Sequence, residues 1–303
     1  MDAVSFDFEL DEKARAKKTK LVEELLKDPH VVSFAGQHHL DAQYIADHSG
    51  TFQQWVQTKT ACEACRGLSF CRFEPRGHYL DLTYDGLLTY GLKPCAYYKD
   101  ERLRYAHEKN YRVIDFDHAD LSIDLASLPL NNESKEYRDV VMYVMKHLLD
   151  PQCREGIYLA GPPGVGKSYL CIGVCNYFAR QGSTCAFVNV PRLVSQLKRL
   201  FQDNEAMEEL LAKIAKAKVV VFDDIGGESV TAWSRDDVLL PLLDERMNSH
   251  RLTYFTSNYT MAELQQRYSS LQAKKSDPVA ALRLLERVKA LSAEKMLKGR
   301  SRR

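Results

Sequence analysis

No apolar run in this 303-residue chain approaches the roughly 20 residues needed to cross a bilayer, which excludes a membrane-spanning helix on length alone. The opening stretch MDAVSFDFELDEKARAKKTK also lacks the apolar centre of a secretory leader and mixes acids with its lysines. Both absences point to the cytoplasm. Cysteines stay reduced there, so the eight in this chain are expected as free thiols or metal ligands and not as disulfides. A strong net charge is missing too. The 42 Lys and Arg against 41 Asp and Glu leave +1, which argues against a wholesale nucleic-acid coat. What remains is an ordinary globular composition, long enough for two domains.

Charge is nevertheless uneven. From Leu271 to Arg303, ten Lys or Arg face three acids, a cationic stretch that is either a solvated helix face and tail or a surface for phosphates. Residues 9–27 predict an exposed helix ended by Asp28-Pro29, and 39–58 predict a second helix carrying Tyr44, Ile45, Phe52, Trp55 and Val56. That aromatic stripe is either core or a set of docking anchors. Residues 98 to about 130 are charged and weakly periodic, and 101–130 read as a linker between a first domain over 1–100 and a second over 131–303.

In the second domain, Asn131 or Asn132 can cap a helix whose Tyr137, Val140, Val141, Val144, Met145 and Leu148 share a face, with Pro151 ending it. Apolar strands then alternate with helices: Ile157–Leu159, Cys185–Val190, Val219–Phe222 and Leu252–Thr256. Strands apolar throughout and separated by helices make an α/β fold with a parallel sheet covered on both faces, and ligands of such folds sit at the carboxyl ends of the strands.

The first of these strands runs into GPPGVGKS. Gly161, Gly164 and Gly166 let the backbone turn its N–H groups toward a β/γ-phosphate, and the following helix adds its positive end. Lys167 supplies a point charge to the phosphates and the Ser168 hydroxyl a magnesium ligand. Gly161, Pro162, Pro163, Gly164, Val165, Gly166, Lys167, Ser168 and Tyr169 are the expected nucleotide-binding run. VVVFDDIG places two carboxylates at a strand end, where Asp223 would hold magnesium and Asp224 would orient or deprotonate a water. Asn258, closing LTYFTSN, is placed to touch the γ-phosphate from the adjacent strand, although an Asn after a strand is often only a turn residue.

Cys62, Cys65, Cys71, His78 and Cys95 put five soft ligands within 34 residues, and four of them would satisfy a structural tetrahedral zinc. Cys62, Cys65 and Cys95 are favoured, with Cys71 and His78 competing for the remaining place. No thioredoxin-like βαβ pattern surrounds the CxxC, so a redox role is not expected. Cys171 and Cys175, set among Leu170, Ile172 and Val174, are expected as packing residues.

Taken together, GPPGVGKS, VVVFDDIG and TYFTSN resemble the core of an AAA+ P-loop ATPase. The double aspartate before Ile-Gly, the helix RLLERVKAL, the GRSRR ending and the cysteines ahead of the ATPase are similar to the bacterial replicative helicase loader family, DnaI/DnaC. The resemblance implies slow, partner-dependent ATP hydrolysis with magnesium, Asn258 as a first sensor, and Arg287 as a finger reaching a neighbouring subunit's site, with Arg283 the lesser choice. It further implies that residues 1–100 dock on the hexameric replicative helicase, and that the AAA+ domains self-associate and engage single-stranded DNA to deliver the ring. Only about six residues follow the strand expected at Ser292–Leu297, too few for the superfamily's helical lid, and Arg302 would stand in for the lid's arginine. A transposition helper or initiator-type ATPase, and a non-hydrolysing nucleotide-dependent scaffold, are the alternatives. The cysteine-bearing N-terminus and the lack of an appended helix-turn-helix weigh against the first of these.

Overall fold

The computed structural model describes residues 12–270 and 277–302, in two units that part between Leu103 and Arg104. Lys274, Lys275 and Arg303 of the basic stretch, and the first residues of the helix expected from position 9, lie outside the described residues.

The first unit contains helices α1 (Glu12–Leu25), α2 (Pro29–His38), α3 (Ala42–Asp47) and α4 (Ser49–Glu63), an antiparallel hairpin of β1 (His78–Tyr84) and β2 (Leu88–Pro94), and α5 (Ala96–Arg104). Asp28 starts α2 by accepting the His30 N–H at 2.9 Å, with Pro29 in the first helical position, where no N–H is needed. The single helix expected over 39–58 is two, parted at His48, with Asp41 capping α3 through the Tyr44 N–H. Ile45, Phe52 and Trp55 are buried with Leu25, Val31, Phe34 and Leu82, so most of the aromatic stripe is core. Phe34 meets Phe52 and Trp55 edge-on at 5.9 and 5.4 Å, the geometry that ring quadrupoles favour. Asp81 ties the hairpin to α4. Burial alone would raise its carboxyl, but hydrogen bonds from Lys93 and Lys59 hold it below its ordinary value.

The second unit begins earlier than expected. In place of a linker over 101–130, residues 111–114 form strand β3 (Tyr111–Ile114), paired in parallel with a later strand, and the turns after it dock on a helix through polar side chains. The remaining elements are α6 (Lys135–Leu149), β4 (Gly156–Ala160), α7 (Lys167–Arg180), β5 (Cys185–Asn189), α8 (Val190–Arg199), α9 (Asn204–Lys216), β6 (Val219–Asp223), a π-helical turn (Trp233–Leu239) running into α10 (Leu240–Asn248), β7 (Leu252–Ser257), α11 (Met261–Ser269), α12 (Pro278–Leu291) and β8 (Ser292–Met296). Ser134, not Asn131 or Asn132, caps α6 by accepting the Tyr137 N–H. The early docking is polar because it must satisfy irregular backbone. Buried Asn176 on α7 donates to the carbonyls of Asp120 and Ile123 and accepts from the Tyr111 hydroxyl.

Six parallel strands lie in the order β3-β5-β6-β7-β4-β8. Because successive strand residues face opposite sides, one apolar run feeds two cores. Ile157, Leu159, Phe187, Val219 and Val221 pack toward α6 and α7, while Tyr158, Ala186, Val188, Val220 and Phe222 pack toward α8, α10 and α12. Cys171, Cys175 and Cys185 are buried thiols, as their apolar neighbours require. Arg246 is fully buried and donates to the carbonyls of Ile214, Ala215, Ala217 and Leu252 and to the Thr253 hydroxyl. It thereby closes the end of α9 onto β7, while burial pushes its guanidinium down to about 9.

Candidate active site

The carboxyl ends of β4, β5, β6 and β7 open into a cavity of about 360 Å³ lined by Pro163, Gly164, Gly166, Lys167, Ser168, Tyr169, Asn189, Asp223, Asp224, Thr256, Asn258 and Arg302. Its floor is the glycine turn between β4 and α7. At Gly161 (φ +155°) a side chain is excluded twice over, because the backbone is left-handed and a Cβ would press into the Leu297 carbonyl just beyond β8. The Val165 side chain is buried in the core, so that this residue turns only its backbone toward the loop.

Lys167 is 93 % withdrawn from solvent, and its ammonium donates to the carbonyls of Gly161 and Pro162 and to Asn258 Oδ1, all within 2.8–2.9 Å. The Asn258 amide in turn donates to Asp224 Oδ1 at 3.1 Å. Lys167, Asn258 and Asp224 are therefore one connected group, 91 residues apart at the widest, joined across β4, β6 and β7. Asp224 holds φ +55°, a left-handed turn conformation that Asp tolerates better than most residues, and its carbonyl accepts the Gly227 N–H at 2.9 Å. Asp223 is buried, its two oxygens taken by the Thr256 hydroxyl (2.7 Å) and the Asn189 amide (3.1 Å). Asn189 and Thr256 were not expected. Each is a polar residue at the carboxyl end of a parallel strand, the position at which such sheets build sites.

Beneath the two aspartates, Glu228 accepts from the Gly226 N–H and the Tyr268 hydroxyl, and burial pushes its carboxyl up despite those bonds. At the rim, the Arg302 N–H donates to Gly164 O (2.9 Å), its guanidinium donates to Val165 O and pairs with Glu133 (2.7 Å), and it lies 4.2 Å over the Tyr137 ring. Arg287 is not at this cavity. It sits on α12, where Nε donates to Asp244 at 2.6 Å, and Arg283 is exposed one turn before it.

The five candidate metal ligands line a separate cavity of about 670 Å³ within the first unit. Cys71 Sγ accepts the Gly77 N–H (3.3 Å) and Cys95 Sγ the Tyr98 N–H (3.4 Å). Burial first, and then the nearby Cys65, Cys71 and Cys95, push the Cys62 thiol up. His78 turns Nδ1 to the Arg76 carbonyl (3.2 Å) and its ring against Tyr98. Among the described residues no three His, Cys, Asp or Glu side chains stand together closely enough to hold a metal ion.

A glycine turn from a parallel strand into a helix, a buried lysine aimed across it, and paired aspartates with a polar strand-end residue beside them define an AAA+ P-loop nucleotide-binding domain. The chain belongs to the family of IstB-like ATP-binding proteins, whose model matches residues 148–303. It is 26 % identical over 289 residues to the replicative helicase loader DnaI of Bacillus subtilis (strain 168), covering 94 % of this chain and 92 % of that one. It is 34 % identical over 104 residues to an ATP-binding protein of insertion sequence IS1162 from Pseudomonas fluorescens, a match to 34 % of this chain and 44 % of the other. A crystal structure of DnaI superposes with a TM-score of 0.53 at 28 % identity, covering 65 % of this chain and 99 % of that one. No helix among the described residues is long and apolar enough to cross a membrane.

Proposed function

We propose that this chain is an ATP-hydrolysing loader that grips the hexameric replicative helicase and delivers it onto single-stranded DNA. The observation that carries the reading is the extent of the match to the DnaI loader, which runs through both units, whereas the insertion-sequence protein matches only a third of the chain.

In this reading the loop N–H groups and Lys167 bind the triphosphate. The donors fit: the loop cannot hold a side chain at Gly161, and the ammonium already lies among three oxygens, two loop carbonyls and Asn258 Oδ1. Ser168 and Asp223 would hold magnesium, which screens phosphate charge when bound. Asp224 accepts the proton of the attacking water, Asn258 orients that water against the γ-phosphate, and Arg302 steadies the loop from the rim. Arg287 leaves Asp244 to reach a neighbouring copy's site, so that self-association and hydrolysis depend on one another. Residues 1–100 dock on the helicase, for which the hairpin region leaves Phe70, Leu87, Tyr90 and Leu92 exposed. Cys62, Cys65 and Cys95, with Cys71 or His78, would be the zinc set; they line one cavity, and because no three of them stand close enough to share an ion as they lie, their side chains would have to close on it. Of the basic residues after Leu271, those other than Arg287 and Arg302 are the candidates for binding DNA.

Turnover should be slow alone and rise with helicase and single-stranded DNA, Lys167→Ala should abolish it, and the full chain on a resin should retain purified helicase. A chain that neither turns over ATP nor retains helicase ends this reading. Retention without turnover would establish the scaffold alternative.

A further inference from the structure

We propose that Asn189 is a positioning residue, one that fixes the orientation of the Asp223 carboxylate and couples it to the first turn of α8. The inference rests on Asp223 being the magnesium carboxylate.

Asp223 ends β6, and the two strands flanking β6 each send one side chain to it. Asn189 is its register partner on β5, and Thr256 comes from β7. Asn189 donates to Oδ2 and Thr256 to Oδ1, so the carboxyl plane is held from both sides and one lone pair on each oxygen stays available. Thr256 also accepts the Asp224 N–H at 2.9 Å, which puts both aspartates in one frame.

Asn189 has a second attachment. Its Oδ1 accepts the Arg192 N–H at 3.2 Å and caps α8, while its own N–H donates to Asp115 Oδ2 at 3.0 Å. Capping alone does not call for asparagine, since Ser, Thr or Asp would serve as well. Neither Ser nor Thr carries the planar amide that donates at one end and accepts at the other, and Asp would set a second carboxylate against Asp223. The amide is rigid, so a shift of Asp223 on metal binding moves the cap oxygen of α8 with it. That helix turns Arg192, Lys198 and Arg199 outward, so nucleotide occupancy would be transmitted to a basic surface.

The test is Asn189→Ser in the full chain, which keeps a capping oxygen and removes the reach to Asp223. Binding of a non-hydrolysable ATP analogue is followed by calorimetry against magnesium concentration, alongside melting temperature and amide exchange at residues 190–193. We expect a folded chain whose melting temperature falls by about 2–6 °C, since a buried carboxylate loses one donor, and a magnesium requirement raised by about tenfold or more, the usual effect of losing a partner behind a metal ligand. We also expect loss of the magnesium-induced protection of the α8 first turn. Asn189→Thr should behave in the same way, and covers the case in which the serine variant fails to fold. Wild-type magnesium dependence and wild-type exchange in a folded variant would overturn the clamp and leave the role of Asp223 standing. A wild-type chain whose nucleotide binding ignores magnesium would overturn both.

Discussion

Gly161→Ala tests the claim that the phosphate turn and the segment after β8 are packed backbone to backbone. The new methyl would occupy φ +155°, a conformation costing a residue with a side chain about 1–3 kcal/mol. It would also press into the Leu297 carbonyl, whose carbon would lie 3.2 Å away. That carbonyl cannot yield freely, because the Leu297 N–H donates to Ala160 O at 2.7 Å and its side chain is fully buried. Losing the bond adds about 0.5–1.5 kcal/mol. Together the terms reach about 2–4 kcal/mol, and for a unit of this length each kcal/mol lowers the melting temperature by about 2–4 °C. A fall of about 5–15 °C is therefore expected by scanning calorimetry, together with loss of nucleotide binding as the loop start is displaced. Gly182→Ala is the control. It is also left-handed, at φ +79°, but no atom lies within 4 Å of its Cβ, so only strain of about 1 kcal/mol applies. If the two variants melt within about 2 °C of each other, the packing argument is wrong.

Three further predictions follow from individual contacts. Arg287→Ala should cost under about 1 kcal/mol of stability, since its pair with Asp244 is solvent-screened, yet should remove the dependence of turnover on protein concentration; retained dependence would exclude it as the finger. Burial raises the Glu228 carboxyl above its ordinary 4.5, so the folded protein keeps a proton that the unfolded chain gives up. Its contribution to stability is thus fully present below that value and is lost as pH rises through the raised one. Glu228→Gln should flatten this slope and match or exceed the wild type in urea midpoint at pH 8 relative to pH 5, and an unchanged slope would contradict the assignment. Metal analysis of the full chain should find one zinc, lost on Cys62→Ser; Cys71→Ser and His78→Ala then decide the fourth ligand according to which of them lowers the content.

The four central strands β4–β7 were legible because they are largely apolar, the pattern of a two-sided core, and the glycine turn was legible because its chemistry is local. The polar docking of 104–130 was not. Tyr111–Ile114 is a short edge strand of weak pattern, and the segment's attachment runs through Asn176, whose partners are carbonyls at 120 and 123 that no sequence motif announces. The split at His48 was hidden for a related reason. The apolar spacing from Tyr44 to Val56 continues across the break, and no side chain caps the start of α4 to announce it.

Within the site, sequence motifs name residues that touch ligand, while the residues that aim them are set by strand order. Asp223 is readable from VVVFDD, but that Asn189 lies on one side of it and Thr256 on the other follows only once β5, β6 and β7 are known to be neighbours. The same logic separates Lys167 from Arg302. The lysine is fixed by the loop that carries it, whereas the arginine reaches the rim because Leu297 and Gly161 bring the end of β8 against that loop, and because Glu133 and Tyr137 lie there to receive it. A strand-end polar residue in a parallel sheet is thus best treated as a site candidate before any motif is sought, since buried beside a carboxylate it must either satisfy that carboxylate or be left unsatisfied itself.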